Sequence, residues 1–226
     1  EAAASKIVRI GADDFGFSLA EVPGDSGMRL VVGSPGENTV VRIENPSESG
    51  SADYVPGLPS LDFRFAFLGD EPAPGEAQCG YAIATGQVEG DGGEGLIVGC
   101  PGRFDGGFSL TDAIWDTDVS MDALGSRLGV GIAYNENFGV SIGTGDFNGD
   151  GIEDTIIGAS HDDLACGGSN CGGAYLYLGP FSESEHFAGY DGFIPGSEPT
   201  DSLGVFVGTA PDMDGDGIED LLIATD

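Results

Sequence analysis

Two stretches of the chain, Asp146-Phe147-Asn148-Gly149-Asp150-Gly151-Ile152-Glu153-Asp154 and Asp212-Met213-Asp214-Gly215-Asp216-Gly217-Ile218-Glu219-Asp220, are nearly the same sequence. Oxygen-bearing side chains recur at the first, third, fifth and ninth positions of each, and glycine, which permits a sharp turn, stands at the sixth. A hard cation that takes about six to eight oxygen ligands suits this spacing. Calcium tolerates such a flexible loop better than magnesium, which keeps its waters and demands near-octahedral geometry. The expected ligands are Asp146, Asn148, Asp150 and Asp154 in one loop and Asp212, Asp214, Asp216 and Asp220 in the other. The carbonyl of Ile152 or Ile218 at the seventh position adds another, and two calcium ions are expected. An EF-hand would carry a bidentate glutamate at the twelfth position and a helix on each side. Ile157 and Ile223 stand there instead, between β-rich flanks. The ion is therefore expected to staple a β-hairpin whose carboxylates otherwise repel one another, a structural role rather than a regulatory one.

The other reactive side chains do not assemble into a catalytic pattern, and the chain is expected not to be an enzyme. His161 precedes Asp162-Asp163, where a histidine beside carboxylates could act as a base or a metal ligand, but it reads as part of a polar loop. His186, among Ser182, Glu183, Ser184 and Glu185, reads as solvated surface. Ser126 and Ser169 lie outside any G-x-S-x-G elbow. With 39 acidic residues in the chain, neighbouring carboxylates carry no information about glycosidase chemistry.

Four cysteines divide into two expected disulfides, Cys79 with Cys100 across a hairpin and Cys166 with Cys171 around Gly167-Gly168-Ser169-Asn170. A zinc site would use the same four residues, but they show no C-x-x-C spacing. Disulfides and calcium loops both suit an oxidising, calcium-rich compartment: extracellular, secreted or at the cell surface, with the periplasm as the alternative.

The charge is extreme, with 7 basic residues against 39 acidic ones and a net of -32 over 226 residues. Such a field repels nucleic acid and anionic lipid, which are bound through Lys and Arg, so neither is an expected partner. A dozen cation ligands account for only part of it. The remainder reads as an acidic solvating surface, of a saline habitat or of an ordinary acidic secreted protein. No apolar run approaches the roughly 20 residues of a membrane span, so no membrane insertion is expected. No signal peptide is visible, and Glu1-Ala2-Ala3-Ala4-Ser5 looks like a mature terminus. Trp115, Tyr175 and Tyr177 fall on expected strands, where core packing is the default; an exposed Trp115 would instead be a recognition anchor.

The elements that position the loops follow from a longer repeat. Its third copy runs Asn137-Phe138-Gly139-Val140-Ser141-Ile142-Gly143, then the loop, then Thr155-Ile156-Ile157-Gly158-Ala159-Ser160. The first copy has Phe15-Gly16-Phe17-Ser18-Leu19 and Leu30-Val31-Val32-Gly33-Ser34-Pro35. The second has Cys79-Gly80-Tyr81-Ala82-Ile83 and Leu96-Ile97-Val98-Gly99-Cys100-Pro101. The fourth has Leu203-Gly204-Val205-Phe206-Val207 and Leu221-Leu222-Ile223-Ala224-Thr225. Gly16, Gly80, Gly139 and Gly204 follow one another at intervals of 64, 59 and 65 residues. Short β segments at so regular a period, with 41 glycines and no helix signal, indicate repeated β units that bury their faces on one another. In the third copy the expected strands are Gly139 to Gly145, Asp154 to Ala159, Gly173 to Leu178 and a weaker one near Asp191 to Ile194. Four-stranded units stacked radially make a β-propeller.

Phe-Gly, a D-x-[DN]-x-D-G-x-x-D loop, then Gly-Ala-Pro or a near variant resembles the FG-GAP repeat of integrin α-subunit propellers and of many bacterial secreted proteins. The resemblance implies an all-β fold, a β-propeller segment of about three and a half four-stranded blades. It divides into an outer strand in 1–13 that includes Lys6 to Ile10, blades at 14–75, 76–135 and 136–197, and a half blade at 198–226. In the second copy Gln87 and Gly95 replace the first and ninth ligands, leaving Glu89 and Asp91, and the first copy keeps the scaffold without the ligands. The family closes rings of about seven blades, so further polypeptide is expected to complete this arc, from the same protein or from another chain. The resemblance also implies a non-catalytic, calcium-stabilised module for binding, adhesion or assembly, with a protein or glycan ligand on the loop face opposite the calcium loops. A structural subunit of a surface layer or filament, or the accessory propeller of a secreted hydrolase, is the alternative.

Overall fold

The computed structural model describes residues 18–24, 27–34, 39–43, 60–62, 78, 80–102, 107–112, 127–130, 136–164, 166, 169–181 and 189–226. Every regular element among them is a β-strand, so no helix there is available to cross a membrane. Strands β1 (Leu19–Gly24), β2 (Gly27–Ser34), β3 (Thr39–Ile43) and β4 (Ser60–Asp62) form the first sheet. The second contains β5 (Ala82–Gly86), β6 (Gly95–Gly99), β7 (Gly107–Asp112) and β8 (Arg127–Val130). The third contains β9 (Phe138–Gly145), β10 (Asp154–Ala159), β11 (Gly173–Tyr177) and β12 (Gly192–Pro195), and β13 (Phe206–Ala210) with β14 (Asp220–Ala224) makes a final hairpin. Among the described residues the strands within each sheet pair antiparallel between chain neighbours, a single parallel bridge joins Gly172 to Leu203, and the first strands β1, β5, β9 and β13 lie side by side in chain order. A series of such sheets is consistent with a β-propeller.

The four strands expected in the third repeat are present within a residue or two of their expected ends. The segment Lys6 to Ile10, Trp115, Ser126 and His186 lie outside the described residues.

Burial patterns explain the layering. β6 and β10 are buried at every residue, because each of these two strands is covered on both faces by neighbouring sheets, whereas β14, the second strand of the final hairpin, is only half-buried. β9 alternates along most of its length, as a half-covered strand should. The apolar clusters accordingly lie between sheets. Val88 and Ile97 of the second repeat join Phe138, Ile157, Tyr175 and Tyr177 of the third, while Ile156 and Ala174 pack with Val207 of the final hairpin and the partly buried Leu221 and Ile223.

Glycine sets the spacing of this stack. Gly80, Gly139 and Gly204, the markers of the repeat, have φ of 87°, 91° and 86°, in the left-handed region that side chains resist. Their carbonyls press against Gly33, Gly99 and Gly158 of the preceding sheet, where an added Cβ would overlap the carbonyl oxygen. Serine reinforces two of these contacts: Ser18 Oγ donates to Gly80 O at 2.6 Å and Ser141 Oγ to Gly204 O at 2.7 Å. Along the first strands a second series of bonds runs from sheet to sheet. Thr85 Oγ1 donates to Glu21 O, Thr144 Oγ1 to Thr85 O, and Thr209 Oγ1 to Thr144 O.

Candidate metal centre

The two acidic loops close the hairpins β9–β10 and β13–β14, whose register sets Gly145 opposite Asp154 and Ala210 opposite Asp220. Each loop turns around its first aspartate. Asp146 Oδ1 accepts from Gly149 N (2.8 Å) and Asp150 N (3.1 Å), and Oδ2 from Gly151 N (2.9 Å). Asp212 accepts from Gly215 N, Asp216 N and Gly217 N at 2.6, 3.1 and 2.9 Å. The third and fifth residues each accept from the amide two positions on. Asn148 Oδ1 takes Asp150 N at 2.8 Å and Asp214 Oδ1 takes Asp216 N at 3.0 Å; Asp150 and Asp216 take Ile152 N and Ile218 N, both at 2.8 Å. Glycines with φ of 77° to 92° at the fourth and sixth positions make this winding feasible.

Carboxylate oxygens of Asp212, Asp214 and Asp216 lie within 4.8 Å of one another and are exposed, so this group could hold a metal ion. The donors are all oxygen, which suits a hard divalent cation. In the 146–154 loop Asn148 replaces the central carboxylate, and its Nδ2 donates to Asp150 Oδ2 at 3.0 Å.

The ninth residues sit deeper. Asp154 is fully buried, accepting from Phe147 N at 2.9 Å and from Gly179 N at 2.8 Å, and thereby ties the loop to the residues after β11. Burial raises its pKa, the two amides oppose the shift, and the charges of Asp150 and Asp146 add to it. Asp220 repeats the first of these bonds, accepting from Met213 N at 2.6 Å. The loop of the second repeat keeps one element of the pattern, Asp91 Oδ1 accepting from Gly93 N at 2.7 Å.

The eighth residues, Glu153 and Glu219, are absent from the expected ligand sets, yet both reach the preceding loop. Their signal is in the sequence: a glutamate occupies this position in three successive copies, as Glu94, Glu153 and Glu219.

Away from the loops, Cys166 and Cys171 form a disulfide with Cα atoms 6.2 Å apart. The segment beside it receives the chain entering the last hairpin, through Thr200 N to Ser169 O, Ser202 N to Asn170 O and Leu203 N to Cys171 O. Cys100 is buried and disulfide-bonded, while Cys79, its expected partner, lies outside the described residues. His161 sits in the loop after β10, its amide donating to Glu136 O. Next to it Asp162 is buried and accepts from the Tyr175 hydroxyl and from Leu164 N.

No protein-family model matches the chain. Integrin alpha-PS2 of Drosophila melanogaster is 29% identical to it over 161 residues, which cover 66% of this chain and 10% of that protein. The chain thus spans about a tenth of the length of this relative. A likeness of that extent, together with serial antiparallel sheets, fits an integrin-like, FG-GAP-related fold.

Proposed function

We propose that the chain is a segment of an FG-GAP β-propeller, with blades at 14–75, 76–135 and 136–197 and a half blade at 198–226, stabilised by two calcium ions. It serves as a non-catalytic extracellular module for adhesion, ligand binding or assembly. The observation that carries the reading is the common hydrogen-bond pattern of the 146–154 and 212–220 loops. Each folds its first aspartate around three amides, and in the second loop the carboxylate oxygens of Asp212, Asp214 and Asp216 lie close to one another. Asp146, Asn148, Asp150, Asp154 and the Ile152 carbonyl would hold one ion, and Asp212, Asp214, Asp216, Asp220 and the Ile218 carbonyl the other. Bound calcium would neutralise carboxylates that otherwise crowd the hairpin ends and would fix the loops against the strands. The partner is a protein or glycan docked on the face opposite these loops, or further polypeptide that extends the series of sheets.

Titration calorimetry on the chelator-treated chain tests the calcium sites. Two binding events per chain at or below millimolar calcium are expected, and magnesium should bind more weakly. A flat titration at millimolar calcium would end this reading.

A further inference from the structure

Neighbouring loops touch through their seventh and eighth residues. Glu219 Oε2 accepts a hydrogen bond from Asp146 N at 3.1 Å, and Glu153 Oε2 accepts from Gln87 N at 2.9 Å. In both cases the donor is the first residue of the loop in the preceding sheet. A glycine just before that donor makes the room. A Cβ on Gly145 would lie 2.7 Å from Glu219 Oε2, and one on Gly86 would overlap Glu153 Oε2. The seventh residues repeat as well: Ile218 lies over Gly149 and Ile152 over Gly90, each 3.2 Å from a Cβ built on the glycine. The sequence carries the glycine and glutamate pair once more, as Gly24 with Glu94.

On the reading of these loops as calcium sites, we propose that Glu219 is a positioning residue for the 146–154 loop, coupling its cation affinity to the state of the 212–220 loop. Asp146 is the centre of its loop, since its carboxylate gathers the amides of Gly149, Asp150 and Gly151. Holding its own amide fixes where that carboxylate points. Glu219 lies between Ile218 and Asp220, both assigned to the second ion, so a cation that orders 218–220 also orders the glutamate that holds Asp146. Coupling of this kind is reciprocal, and each ion should raise the affinity of the other.

The test compares Glu219→Ala and Glu219→Gln with the wild-type chain, following the amides of Gly151 and Gly217 by NMR through a calcium titration. With alanine, the Gly151 midpoint should move about three- to tenfold toward higher calcium, the scale of one lost hydrogen bond to an exposed charged acceptor. Glutamine keeps an oxygen acceptor and should recover most of the loss. Hydrogen exchange in chelator gives a metal-free reading: alanine should speed exchange at Asp146 N and leave Gln87 N, held by Glu153, unchanged. A Gly151 midpoint unmoved by alanine, or glutamine behaving like alanine, overturns the proposal. A wild-type chain whose Gly151 and Gly217 amides ignore calcium sinks the calcium reading instead, and the exchange rate at Asp146 still decides whether Glu219 holds the loop.

Discussion

Tyr175 concentrates several contacts in one side chain. It is fully buried, its hydroxyl donates to the buried Asp162, and its ring meets Phe138, Tyr190 and Phe193 at centroid distances of 5.3, 5.0 and 4.7 Å. Burial pushes its pKa well above the ordinary tyrosine value, and the bond to Asp162 and that residue's charge push further the same way; burial also raises Tyr177. The folded chain therefore keeps both protons at pH values where an unfolded tyrosine, with a pKa of about 10, gives its proton up. Stability from these groups is intact below pH about 10 and falls as pH rises beyond it, because the unfolded state then binds fewer protons than the folded one. Phenolate absorbance should accordingly appear at Tyr175 and Tyr177 only together with loss of β-structure in circular dichroism. Smooth ionisation of all tyrosines in a still-folded chain would contradict the burial argument. Tyr175→Phe should cost about 1–3 kcal/mol in denaturant unfolding, because Asp162 loses a donor it cannot replace with water. The place of Tyr175 in the core was legible from its strand. Its partner was not, since Asp162 sits in a His-Asp-Asp run that reads as solvated loop until the fold closes over it.

At the scale of strands and hairpins, the periodic glycines and the apolar second strands were enough to locate all four strands of the third repeat. Sequence periodicity records which residues recur, but it does not say what they touch. Thr85, Thr144 and Thr209 share the repeat spacing as plainly as the glycines do, and their role as donors from sheet to sheet emerges only once the first strands lie side by side. Glu153 and Glu219 escaped for a related reason: each loop considered alone assigns its carboxylates to an ion, whereas these two serve the loop before. The seam between sheets gives a direct prediction. Gly158→Ala places a methyl group against the Gly204 carbonyl and Ser141 Oγ, and backbone on a neighbouring sheet cannot step aside as a flexible side chain can. The cost should be about 1–3 kcal/mol, the usual range for overpacking. Gly189→Ala, where nothing lies within 4 Å of an added Cβ, should stay within about 0.5 kcal/mol of wild type. Equal midpoints for the two variants in denaturant unfolding would show that the sheets are not held at the close approach described.

Over the whole molecule the governing quantity is the net charge of -32. Self-repulsion on this scale opposes the compact state, and it is sharpest where successive hairpins bring their acidic loops together. Glu153 illustrates this: burial raises its pKa foremost, its bond from Gln87 N works against the shift, and Glu94, Glu219 and Asp146, from three different repeats, add to it. Two remedies act on different ranges. Monovalent salt shortens the Debye length to about 10 Å at 0.1 M and relaxes the field everywhere, whereas a bound cation acts only at the loops and only on the folded state. In chelator, sodium chloride should raise the melting temperature gradually, without saturating at low concentration. Millimolar calcium, at an ionic strength too low to screen, should add a separate, saturable rise. Asp150→Asn combined with Asp216→Asn separates the two effects. Each asparagine keeps a side-chain oxygen for the amide two residues on, the bond now made at 2.8 Å in both loops, while a charge is lost from each loop. The double variant should melt no lower than wild type in chelator, because repulsion falls, yet it should lose most of the calcium-dependent rise. If matched sodium chloride reproduces the calcium effect, or if the double variant keeps it in full, the loops are acting as a diffuse acidic surface and not as cation sites.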